Sequence, residues 1–176
     1  MKKQLLRCLL LCSLTGNVFA ASQGHGHVNL SGSIIDTACA IAAGDAHQSI
    51  ELGNLPASEI INNGRGPAVP FTVHLINCVL NGADSRGYDH WKDVHIVFDG
   101  EADGPNLFAM QGGARGEALA ISDDAGTQAE PGKPMPAATI EPGNMALHYR
   151  MWLTGDHHAL QPGRLYTTVR YFMEYD

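Results

Sequence analysis

The sequence predicts an all-β domain of the immunoglobulin-like sandwich kind, and three observations carry that expectation. Short stretches alternate apolar and polar residues with a period of two, turn formers separate them at sandwich-like intervals, and beyond residue 20 no long stretch keeps a helical 3.6-residue period. The 176 residues, 44% of them hydrophobic, are enough for one domain with a proper core.

Residues 1–20 stand apart as a secretory signal. Lys2, Lys3 and Arg7 form a basic start, Leu5 to Leu14 is mostly apolar, and Val18-Phe19-Ala20 has the small-residue character of a cleavage site. The apolar run is too short to span a bilayer, and the processed chain begins near Ala21. Those three cations are part of the 11 Lys and Arg, so removing them leaves eight against 18 Asp and Glu, a formal charge of −10. An acidic, sparsely basic chain excludes nucleic acid and anionic lipid as partners.

Cysteine usage agrees with export. Cys8 and Cys12 leave with the signal, and Cys39 and Cys78 remain. In an oxidising compartment two cysteines allow one bridge, closing a loop of about 40 residues at roughly 4 kcal/mol in the chain-entropy model. The alternatives are two free thiols or a two-ligand metal site; zinc wants four ligands, and no CxxC pair is present.

The elements follow in order. In Ala21 to Ser31, Gly24, Gly26, Val28 and Leu30 share one parity and His25, His27, Asn29 and Ser31 the other. Two readings stand for this glycine-rich stretch: a frayed terminus, which composition alone favours, or a strand meant for another sheet. Ser49 to Gly53 reads as a short strand and Pro56 to Gly66 as a polar connection. Phe71, Val73 and Leu75 alternate, but Cys78 falls on the opposite parity, so a bulge or twist is expected before it. Asn81 to Lys92 is loop-like. Val94, Ile96 and Phe98 alternate up to the Asp99-Gly100 turn, and Leu107-Phe108 and Leu119-Ala120-Ile121 are short apolar pieces among glycines. Four prolines in Ala129 to Pro142 exclude a central strand or helix. Leu147, Tyr149, Met151 and Leu153 form the next alternation. After Pro162-Gly163, Arg164 to Asp176 reads as a terminal strand with Leu165, Thr167, Val169, Tyr171, Met173 and Tyr175 on its more apolar face.

Catalysis finds no support. The chain has no G-x-S-x-G elbow, no H-E-x-x-H and no phosphate-cradling glycine motif, and Asp123-Asp124 lacks the ligand spacing of an EF-hand. Nine histidines, among them His25, His27 and the pair His157-His158, keep a secreted metal-binding β-domain as a reading from another class, although exposed histidines on an acidic surface are the commoner explanation. A secreted hydrolase on a β-sandwich has no motif behind it. Neither catalytic residue, metal nor cofactor is expected.

Taken jointly, the signal, the alternating extension, the G-S-I-I-D-T-A-C-A-I run at Gly32 to Ile41, the second cysteine at Cys78, Gly163 fourteen positions from the end and Tyr175 next to last resemble the fimbrial subunits of the chaperone–usher pathway. The resemblance implies an incomplete immunoglobulin-like sandwich that lacks its seventh strand. A periplasmic chaperone lends a strand first, and the next subunit's extension replaces it at the outer-membrane usher, so the partners are the chaperone, the usher and neighbouring pilins. It divides the chain into signal 1–20, donor extension 21–31 and pilin domain 32–176, exported to the periplasm and then to a surface fimbria that supports adhesion.

Residue by residue, the resemblance makes Val28 and Leu30 the apolar donor residues, with Gly26 at the following pocket. Gly163, Val169, Tyr171, Met173 and Tyr175 become the groove strand that the chaperone pairs with, and the Asp176 carboxylate docks on the chaperone's basic cleft. The chain has no room for a tip adhesin's extra receptor-binding domain. Phe98-Asp99-Gly100, Gly132 to Ala137 and Glu174-Tyr175-Asp176 resemble the terminator subunit of P pili, while the short glycine-histidine extension departs from it. The expectation is a minor, terminator-like subunit, with a major rod subunit as the alternative.

Overall fold

The computed structural model describes residues 27–33, 36–81 and 91–176, so the expected signal at 1–20, Gly26 and most of the expected Asn81 to Lys92 loop lie outside the described residues. The chain divides into two units at residue 34. In the first, residues 27–33 carry no regular secondary structure, and Val28 and Leu30 are 97% and 98% exposed.

The second unit is the β-sandwich that the alternation predicts. Its strands are β1 (Ala40–Ile41), β2 (Val69–Cys78), β3 (Asp93–Asp99), β4 (Phe108–Ala109), β5 (Gln111–Gly112), β6 (Glu117–Asp123), β7 (Ala138–Thr139), β8 (Gly143–Gly155), β9 (Leu165–Tyr166) and β10 (Arg170–Tyr175). One sheet runs β1-β2-β8-β6-β4, the other β10-β3-β7, and β5 pairs with β9 in a separate ladder. The period of two does the sorting: Val73 and Leu75 of β2, Leu147 and Tyr149 of β8, and Leu119 and Ile121 of β6 enter one core with Val94, Ile96 and Phe98 of β3. Phe98 is 1% exposed and meets Tyr149 edge-on at 5.0 Å and Phe71 at 6.0 Å, the offset geometry that aromatic quadrupoles prefer.

Cys39 and Cys78 are joined in a disulfide. The irregularity expected before Cys78 is present: the β2–β8 register shifts between Leu75 and Cys78, and Asn77 takes φ 55°, a left-handed conformation that asparagine tolerates. One inserted residue flips the parity and turns Cys78 inward, 3% exposed.

Three local expectations change. The Pro56 to Gly66 connection contains a helix, α1 (Ala57–Asn63). Pro56 sits at its N-cap, Glu59 in its first turn, and Gly64 ends it in the left-handed conformation with its N–H on the Ile60 carbonyl. Seven residues are too few for a helical period to stand out, and Ile60 alone of them is buried. Ser49 to Gly53 is not a ladder strand, because it lines a groove instead of meeting a neighbour. The terminal run is two strands, since β9 pairs with β5 and β10 with β3, and residues 167–169 make the change of partner.

Glu117 is 7% exposed at the start of β6. Burial pushes its carboxyl above its ordinary value of 4.5, and the charge of Asp156 adds to the effect. Folding therefore favours the protonated acid; that contribution is complete below the ordinary value and lost as pH climbs through the raised one. Glu117→Gln is expected to unfold at higher denaturant than the parent at neutral pH, with the gap closing as the medium is acidified below 4.5. Phe98→Ala is expected to cost about 3–5 kcal/mol in the same denaturation assay, far more than Phe172→Ala at a position 46% exposed.

Candidate strand-accepting groove

The site is a groove, and its floor follows from sheet register. Ile121 pairs with Met151 and Leu119 with Leu153 across β6 and β8, and Phe71 of β2 lies beside Tyr149. These side chains point toward the second sheet, where Phe98 meets them. Above them opens a cavity of about 1460 Å³, walled on one side by residues 46–55 and on the other by residues 163–171. Ile41 and Met110 complete the lining. The partly exposed Phe71, Met110 and Met151 open onto this cavity, while Phe98, Leu119 and Ile121 beneath are at most 4% exposed; a closed sandwich leaves no apolar gap of this size.

That second wall takes in β9 and the first two residues of β10, and the rest of β10 continues beyond the cavity as a sheet edge. Its six residues pair antiparallel with β3 from Arg170 opposite Asp99 to Tyr175 opposite Val94, and among the described residues no strand pairs with its other side. Its exposure alternates as the sequence predicts. Tyr171, Met173 and Tyr175 are half-buried against the core, joined by Val169 just ahead of the strand, while Arg170, Phe172 and Glu174 face out. Such an edge presents main-chain N–H and C=O groups to any strand that enters.

Two tyrosines tie this edge to the opposite side of the sandwich. The Tyr171 hydroxyl donates to the Asp45 carbonyl, and the Tyr175 hydroxyl donates to the Cys39 carbonyl at 3.2 Å. Burial pushes both phenols up, and nearby Asp45 adds to the effect on Tyr171. Tyr175 also packs edge-on against Trp91 at 5.7 Å. The acceptor on the Cys39 side is fixed by the disulfide, so the bridge, the terminal strand and β2 form one braced corner.

Gly163 has a steric reason to be glycine. A Cβ there would lie 2.4 Å from Ala114 N and Gly113 C, inside backbone that cannot retreat. The close approach lets Gly113 N–H and Ala114 N–H both donate to the Arg164 carbonyl, which pins the start of β9. Gly112 answers across the ladder with φ 120° and its own missing Cβ directed at the Arg164 carbonyl, 2.3 Å away.

The strand ends at Asp176. Its backbone carbonyl accepts from Lys92 N–H at 2.6 Å, its N–H donates to the Asp93 carbonyl at 3.0 Å, and its side-chain Oδ2 lies 3.0 Å from His95 Nε2. Gly163, Val169 and Tyr171 thus line the cavity, and Met173, Tyr175 and Asp176 continue the same terminal segment beyond it. Val28 and Leu30 belong to the other unit of the chain, and Gly26 lies outside the described residues. Residues 46–55, Met110 and the two hydroxyl contacts are additions that periodicity does not supply. Among the described residues no three metal-ligating side chains converge, and His25 is not one of those residues.

Residues 28–176 match the fimbrial protein family. Fimbria A protein of Serratia marcescens is 32% identical over 158 residues, 89% of this chain and 86% of that protein. The PRS fimbrial minor pilin protein of Escherichia coli is 30% identical over 154 residues, 86% and 77% of the two chains. The fold is shared with the P pilus rod subunit PapA at a TM-score of 0.70, with 22% identity over 80% of this chain and 100% of that one.

Gly163→Ala is expected to push β9 off the Gly113-Ala114 backbone and destabilise the chain by about 1–3 kcal/mol. Thermal unfolding checks the loss, and faster amide exchange at Leu165 and Tyr166 checks its location; an unchanged midpoint would show that the backbone yields at no cost.

Proposed function

Since the chain belongs to the fimbrial protein family as a structural, non-enzymatic subunit of a surface fimbria, we propose that it joins its fibre by donor-strand exchange. A partner strand enters the groove and pairs with the free edge of β10, so main-chain bonds hold it along its length while alternate side chains drop into the floor of Phe71, Phe98, Leu119, Ile121 and Met151. Each apolar side chain seated there contributes roughly 1.5–3 kcal/mol. The open edge above the open groove is the observation that carries this reading.

The chain also offers a strand. Residues 21–31 alternate, and Val28 and Leu30, nearly fully exposed, are suited to a neighbour's groove, with Gly26 at the following pocket. Before assembly a periplasmic chaperone lends the missing strand and captures the Tyr171 to Asp176 edge, docking the Asp176 carboxylate in its basic cleft, and the outer-membrane usher hosts the exchange. The isolated subunit, its edge unpaired, is aggregation-prone. Export through the periplasm to the cell surface and a contribution to adhesion follow from the same reading.

Room for a strand from Gly163 to Tyr171 supports a subunit that accepts a donor as well as giving one, a rod or adaptor subunit. The second reading is a minor, terminator-like subunit that refuses the next donor. It is supported by the terminator-like segments at Phe98 to Gly100, Gly132 to Ala137 and Glu174 to Asp176, and by a relative described as a minor pilin.

Mixing the chaperone-bound subunit with synthetic donor peptides tests both. Uptake of a peptide spanning residues 21–31, or of a neighbour's extension, with release of the chaperone marks an accepting subunit, whereas refusal of every peptide marks a terminator. Deletion of residues 21–31 is expected to leave chaperone binding intact and abolish attachment to the neighbouring subunit. Normal incorporation of the truncated chain into polymers would sink the donor assignment.

A further inference from the structure

His95 sits on the outer face of β3 and touches two acceptors. Its Nδ1 lies 2.8 Å from the Met135 carbonyl oxygen, and its Nε2 lies 3.0 Å from Asp176 Oδ2. A carbonyl oxygen can only accept, so Nδ1 carries a hydrogen. In a neutral ring Nε2 then holds a lone pair, and a carboxylate facing it is a second acceptor with nothing to accept. The Asp176 contact is a hydrogen bond only when the ring carries both N–H groups or when the carboxyl holds the extra proton. Either way the arrangement contains one proton more than a neutral imidazole and an ionised aspartate.

We propose that His95 is a proton-dependent latch that positions the end of the last strand, holding Asp176 to the Met135 segment while protonated and letting it go when neutral.

The surroundings favour the charged ring. Glu174 lies directly opposite His95 in the β10–β3 register, and Asp93 precedes it by two residues on the same face of β3, with its carboxylate accepting from the Thr139 hydroxyl of β7. From the 127–136 segment, Glu130 and Lys133 share a shallow hollow with His95 and neutralise one another. Lys92, just before β3, offers its main-chain N–H to Asp176. The Met135 carbonyl, followed by Asp176 and Asp93, raises the His95 pKa above its ordinary 6.5 against an opposing effect of burial. The latch is therefore complete below 6.5 and is lost as pH climbs through the raised value.

The two partners differ in freedom. The His95 side chain is 24% exposed and the Asp176 side chain 72%, so a neutral ring stays in place while the carboxylate swings into water. What loosens is the end of β10, where Asp176 closes the ladder on Lys92 and Asp93 and Tyr175 reaches Cys39. That end belongs to the edge on which a partner strand pairs, and this consequence rests on the strand-exchange reading.

The test is a ring titration by NMR on the full chain, with Asp176→Asn and His95→Gln beside it. His95 is expected to titrate above 6.5, and Asp176→Asn to lower its value, because an asparagine N–H can donate to the neutral ring. Amide protection at Tyr175 and Asp176, corrected for intrinsic exchange, is expected to fall about two- to five-fold between pH 5.5 and 8.5 in the parent and to stay level in both variants. A His95 value at or below 6.5, or one that Asp176→Asn leaves unmoved, overturns the latch. Donor-peptide uptake at the two pH values separates the readings: uptake that is equal at both overturns the consequence for capture, and no uptake at either overturns the accepting-subunit reading while the titration still judges the latch.

Discussion

A strand inside a sheet uses its main-chain groups on both sides, and a β-sandwich closes only when every strand beside its core finds two neighbours or a covered edge. In this subunit β10 has β3 on one side and no described strand on the other, and its first residues, Arg170 and Tyr171, border a groove lined by Phe71, Phe98, Leu119 and Ile121. The remaining features accommodate that vacancy. Residues 46–55 run along the far lip without joining a ladder, and β8, thirteen residues long, holds the floor together by pairing with β2 and β6.

An open edge needs bracing, and the bracing is concentrated at its two ends. At the start, the missing side chains of Gly163 and Gly112 let two backbones meet closely enough for two N–H groups to share the Arg164 carbonyl. At the finish, Tyr171 and Tyr175 cross to the carbonyls of Asp45 and Cys39, beside the disulfide, while Asp176 closes on Lys92, Asp93 and His95. Between these anchors no described strand pairs with the edge. In the proposed strand exchange, part of each core moves into the contact between subunits, and folding and assembly become one process.

Much of this was legible because parity is a local property. The alternations at Phe71 to Leu75, Val94 to Phe98, Leu147 to Leu153 and Tyr171 to Tyr175 each assign a core face without reference to any other strand. The conflict of parity at Cys78 pointed to an irregularity, and the structure supplies it at Asn77. Where elements are too short for a period to form, the reading failed: the seven residues of α1 passed for a connection, and the break between β9 and β10 passed for one strand.

From the amino-acid order alone came the fold class, the pairing of Cys39 with Cys78, and the inward face of the terminal strand, since each depends on neighbours along the chain or on composition. Tertiary structure alone decided that β10 takes β3 as its neighbour, that residues 46–55 form the opposite wall, and that His95 meets Asp176 across 81 positions of sequence. The reason is physical. A period of two says which way a side chain points, but which strand lies beside it, and whether any does, is settled by the packing of the two sheets around a shared core.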